Sequence, residues 1–82
     1  MSEVMVLLPF FVGRKVGKTQ LSVQAATVGD ALRKVEEEIG VRLNVSEYLF
    51  FLNNRVLNKN SLEAAPVTSG DKLRIIVPMA GG

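Results

Sequence analysis

Hydrophobic and polar positions alternate along several stretches of this chain and recur at helical spacing along one. Near the C-terminus, Leu73, Ile75 and Val77 alternate with Lys72, Arg74 and Ile76. That is the period of two of a half-buried strand. Pro78 ends it, because proline has no N–H to give to a ladder. At the other end, residues Val4–Val12 read as a first strand, with Val4, Val6 and Leu8 on one face and Met5 and Leu7 on the other. Pro9 places the end of that strand at an edge or a bulge. The polar, two-glycine stretch 13–18 reads as a turn into Thr19–Ala25, where Leu21 and Val23 alternate with Gln20, Ser22 and Gln24. The first two strands are therefore expected to form a hairpin.

A change of period marks the next element. Val28, Ala31, Leu32, Val35 and Ile39 fall on one helical stripe, and Arg33, Lys34, Glu36, Glu37 and Glu38 fill the other side. Thr27 with Asp30 three positions on fits a capping box, and Gly40 is a C-terminal stop. Residues 41–47 read as a linker whose Val41, Leu43 and Val45 cover the core. Tyr48–Leu52 reads as a third strand, Asn53-Asn54 as a turn that suits the left-handed tolerance of asparagine, and Arg55–Leu57 as a short return. Residues 58–68 form an irregular crossing with one helical turn near Leu62–Ala64, which Pro66 keeps short. Ser69-Gly70-Asp71 turns the chain into the last strand. The two ends of the chain thus supply long, apolar strands. A mixed sheet covered by one helix buries that many apolar positions in so short a chain.

Composition narrows the function. The chain has 82 residues, of which 48% are hydrophobic, so it makes one small domain with a packed core. No apolar run approaches the roughly 20 residues of a membrane span. The apolar stretch 4–12 lacks the basic flank and cleavage site of a signal peptide, so a cytoplasmic protein starting at Met1 is expected. Cysteine and histidine are absent, which removes disulfides, thiol nucleophiles, the usual zinc ligands and the commonest general base. The net charge of +2 is spread along the chain, with no basic run longer than Arg14-Lys15, so nucleic acid is not an expected partner. The carboxylates Asp30, Glu36, Glu37, Glu38, Glu47, Glu63 and Asp71 show no catalytic pairing. Catalysis by this chain itself is not expected.

The stretch Pro78-Met79-Ala80-Gly81-Gly82 follows the last strand. One reading is a frayed terminus without a role. The other is a substrate arm. Glycine has no Cβ, so Gly81 and Gly82 pass through a channel too narrow for other residues, and the only reactive group on such an arm is the Gly82 carboxylate.

The element order, the Gly70-Asp71 entry to the last strand, the helix opening Thr27-Val28-Gly29-Asp30-Ala31-Leu32 and the Pro-Met-Ala-Gly-Gly tail resemble the ubiquitin-like sulfur carriers. The likeness is greatest to the small subunit of molybdopterin synthase, with the thiamine-pathway carriers next. The chain departs from that pattern at Asn53-Asn54-Arg55, where the family has Asn-Gly, and in its basic 10–18 connection. The resemblance implies an α+β β-grasp domain over residues 1–77 with a flexible tail over 78–82. In that fold the first and last strands lie side by side in parallel at the centre. It also implies a carrier with no permanently bound cofactor. A ubiquitin-activating-type enzyme would use ATP to adenylate Gly82, a persulfide donor would replace AMP to leave a thiocarboxylate, and a second partner, such as the molybdopterin synthase large subunit, would accept the sulfur.

A partner also needs a surface to hold. If Leu73, Ile75 and Val77 face the helix, Ile76 faces out, and if Phe50 and Leu52 face in, Phe51 faces out. Phe51 and Ile76, extended by Met79, are expected to form an apolar patch rimmed by Arg74 and Arg55. Two further readings stand beside the carrier. In one, Gly82 is joined to lysines of target proteins as a modifier; in the other, the domain is an interaction module whose tail is never activated.

Overall fold

The computed structural model describes residues 1–78. Its strands are β1 (Ser2–Leu7), β2 (Gln20–Ala25), β3 (Leu49–Leu52), β4 (Arg55–Val56) and β5 (Lys72–Ile76). Its helices are α1 (Phe10–Val16) and α2 (Val28–Ile39), with short 3-10 turns at Val45–Glu47 and Leu62–Ala64. The strands form one sheet in the order β2-β1-β5-β3-β4. β1 runs parallel to β5 at the centre and antiparallel to β2, while β3 is antiparallel to both β5 and β4. With α2 laid across one face, this is the expected β-grasp arrangement.

The first connection differs from the sequence expectation. β1 stops at Leu7, and residues Phe10–Val16 are helical rather than a strand end followed by a turn. Nor does Pro9 mark an edge: β1 lies between β2 and β5, and Pro9 falls beyond it, as the cap of α1 with φ −58° and ψ 149°. The physical reason is local. Pro9 cannot continue a ladder, but its carbonyl accepts from the Gly13 N–H at 2.9 Å, which closes the first helical turn. Val12 is buried and Val16 is packed against the core, one turn apart on the inner side of α1. At the far end, the N–H groups of Gly17 and Lys18 both donate to the Gly13 carbonyl, at 2.8 and 3.0 Å. That closure brings the chain so near that a Cβ on Gly13 would lie 2.5 Å from the Lys18 carbonyl oxygen. Only glycine fits at that position.

The stripe on α2 packs as its spacing requires. Val28, Ala31, Leu32 and Val35 are buried, and Ile39 packs at the margin of the core. Thr27 caps the helix by accepting from the Asp30 N–H at 3.1 Å, and Asp30 returns the bond one residue early, accepting from the Ala26 N–H at 3.2 Å. Gly40 ends the helix in the left-handed region, at φ 71°. The linker covers the core through Leu43, whose N–H donates to the Glu36 carboxylate at 2.6 Å. The crossing is tied to the start of α2, where the Val28 N–H donates to the Ala65 carbonyl and the Val67 N–H to the Ala26 carbonyl. Opposite α2, the core face of the sheet presents Val4, Val6, Val23, Phe50, Leu52, Leu73 and Ile75.

Candidate partner interface

Among the described residues, no helix is laid across the other face of the sheet. The period of two that buries Leu73 and Ile75 turns Lys72, Arg74 and Ile76 to this side. Register places Ile76 opposite Leu49, and Arg74 between Phe51 of β3 and Leu7 of β1. Cross-strand partners share a face, so Leu7, Leu49, Phe51, Arg74 and Ile76 meet on the open side of the three central strands. Phe51 and Ile76 lie one pair apart there, both half-buried. Val56 pairs with Phe51 and extends the apolar surface at the edge, 57% exposed. Arg55 does not join the expected rim. It pairs with buried Leu52, which puts it on the α2 side of the sheet. Arg74 stands in the middle of the patch rather than around it.

The start of β5 is fastened from two directions. The Asn53 side-chain amide donates to the Asp71 carboxylate at 2.8 Å, and its carbonyl accepts from the Lys72 N–H at 2.9 Å. Asp71 also accepts from the Thr68 N–H at 2.8 Å and from its hydroxyl at 3.3 Å. The Thr68 backbone bond, followed by the Asn53 bond, holds the Asp71 carboxyl below its ordinary pKa. Asn53 and Asn54 both take positive φ, 54° and 83°, which is the turn their sequence implies.

At the other end of β5 lies a feature that reading α1 as a strand concealed. Because β1 and β5 are parallel, α1 begins beside the point where β5 ends. Phe10 and Phe11 stand 73% and 60% exposed on α1. Between them and β5 runs a groove of about 720 Å³, walled by Leu7, Pro9, Phe10, Phe11, Ile76 and Val77. The Arg14 guanidinium sits 5.7 Å from the centre of the Phe10 ring. The sequence did hold a signal for α1: Val12 and Val16 are four apart, between Pro9 and Gly17, the proline-before, glycine-after asymmetry of a helix.

Pro78 is exposed at the limit of the described residues. Met79, Ala80, Gly81 and Gly82, the expected tail and its reactive end, lie outside them. Among the described residues, no helix is long and apolar enough to cross a membrane.

Comparison with known proteins places this geometry. The model of the ThiS family matches residues 10–82. No curated protein sequence matches the chain. Among solved structures, the HVO 2177 protein of Haloferax volcanii is 27% identical, with a TM-score of 0.70 over 99% of this chain and 87% of that one. Small archaeal modifier protein 1 (SAMP1) of Methanosarcina acetivorans is 20% identical, with a TM-score of 0.75 over 100% and 98%. In a complex of subunits 1 and 2 of the molybdopterin-converting factor of Helicobacter pylori 26695, the matching chain is 18% identical, with a TM-score of 0.68 over 98% and 99%.

Proposed function

The chain belongs to the ThiS family, and from that membership we propose that it is a ubiquitin-like sulfur carrier whose Gly82 carboxylate is the working group. The observation that carries this reading is a family match that runs through the diglycine to residue 82. A carboxylate oxygen of Gly82 attacks the α-phosphorus of ATP and displaces pyrophosphate. A persulfide sulfur then attacks the acyl carbon and releases AMP. A thiol of the donor cleaves the S–S bond that is left, giving the thiocarboxylate and a disulfide. The adenylating enzyme supplies the catalytic groups, and this chain supplies a rigid strand, an apolar face to be held and an arm to be threaded. The acceptor is a molybdopterin-converting large subunit, a reading supported by the fold shared with the Helicobacter pylori complex of subunits 1 and 2.

The second reading keeps the adenylation and changes the acceptor to lysines of target proteins. The fold shared with a small archaeal modifier protein favours it. One measurement separates the two. Protein purified from its own host is weighed intact, and the carrier reading expects a species heavier by the exchange of one oxygen for sulfur at the C-terminus. A pool holding only the carboxylate, beside a ladder of conjugates that vanishes when Gly82 is deleted, would establish the modifier instead.

A further inference from the structure

The groove between α1 and the end of β5 adjoins the open sheet face and shares Leu7, Arg74 and Ile76 with it, while α1 supplies its other wall through Phe10, Phe11 and Arg14. Its walls are apolar, yet three of the ten basic residues of the chain line it, Arg14, Lys18 and Arg74, and none of its eight acidic residues does. Lys18 shares its charge with Glu38 at 3.0 Å. Arg14 and Arg74, like most of the basic residues, have no ion-pair partner among the described residues; what matters in the groove is that no acidic residue stands on its walls to offset them. An apolar trough with uncompensated cations on its walls fits an occupant with apolar side chains between carboxylates.

We propose that this groove is a docking site for a protein segment of that chemistry, an apolar ridge flanked by Asp or Glu. The parallel pairing of β1 with β5 sets the groove at the root of the tail. A protein that takes the tail therefore meets the groove at the same time, and its acidic ridge decides whether it is accepted. Exposed aromatics beside arginines also suit an anionic lipid surface. The concave shape favours the protein segment, because a groove receives a ridge, and a flat bilayer reaches only its rims.

The full chain, labelled with 15N, is titrated with an amphipathic helical peptide of leucines flanked by glutamates, and with the same peptide carrying lysines instead. The glutamate peptide is expected to give saturable shifts at residues 10–18 and 74–77, and the lysine peptide none. Phe10→Ser and Arg14→Glu, both at exposed positions that leave no cavity, should keep the wild-type melting curve and weaken the binding roughly tenfold each. Equal response to both peptides, shifts confined to Leu49, Phe51 and Val56 of the sheet with none in residues 10–18, or unchanged affinity in Phe10→Ser would overturn the proposal. So would stronger binding to phosphatidylglycerol vesicles, or self-association of the chain through the groove in sedimentation. The titration uses no activating enzyme, so its failure leaves the carrier reading standing, and absence of a thiocarboxylate leaves the result for the groove standing.

Discussion

Asp71 ties the last turn to the last strand. Its carboxylate accepts from Thr68 and Asn53, which are three residues before it and eighteen residues before it. Those bonds favour the charged form and hold its pKa down. The sign follows from linkage. A carboxyl whose pKa is lower when folded adds stability above its unfolded value of about 3.9, and that stability is lost as pH falls through the lower folded value. Asp71→Asn is therefore expected to cost on the order of 1 kcal/mol near neutral pH, a small figure because the group is accessible to solvent. The gap between variant and wild type should close in melting curves taken below about pH 4. A gap that stays constant into acid would mean that the ionised carboxylate is not what holds the turn. At this scale the sequence was legible where contacts are local. The Thr27 cap, the Asn53-Asn54 turn and the Gly40 stop are each contained in a few neighbouring residues. The Asn53–Asp71 bond is not, because it depends on β3 and β5 already being paired.

Strand period also told which way Phe51 and Ile76 point, since alternation ties both to buried neighbours. Burial moderates the expectation for them. Each is half-buried among Leu7, Leu49 and Arg74, so truncation removes some packing. Phe51→Ala and Ile76→Ala should each cost about 1 kcal/mol of stability, well short of the roughly 3–5 kcal/mol of a core phenylalanine. They should weaken binding to the adenylating enzyme by on the order of 1–2 kcal/mol, as central apolar anchors do. Calorimetric titration beside melting curves measures both, and a core-sized loss of stability with unchanged affinity would assign the two side chains to packing alone. Arg55 and α1 show where period fails. A two-residue strand such as β4 has too few positions to reveal its facing, so only register with Leu52 puts Arg55 on the α2 side. In α1 the apolar run continues unbroken from β1, and a short apolar run does not distinguish strand from helix. The decisive features are the lost N–H of Pro9 and the close approach at Gly13, and the second exists only in three dimensions.

In the whole molecule the first and last strands lie side by side. The central β1–β5 pair was legible through the element order and the resemblance it carries, with long apolar strands supplied by both ends of the chain. The groove was not, because its walls come from residues 7–19 and 74–77. The consequence for function is that β5, held by β1 on one side and β3 on the other, fixes where the chain leaves the sheet at Pro78. We expect deletion of Gly82 to leave stability unchanged, since a terminal residue adds nothing to the core. It should abolish ATP–pyrophosphate exchange by the adenylating enzyme of the host, because the carboxylate then falls about 3.5 Å short of the α-phosphorus. Gly81→Val keeps the reach but adds a branched side chain, and it should fail by exclusion from the channel. The two defects separate on excess enzyme and ATP. A carboxylate that is too short stays inactive at any concentration, and a hindered one regains some exchange. Wild-type exchange by the Gly82 deletion would show that this carboxylate is not the group adenylated, and would leave the domain as an interaction module.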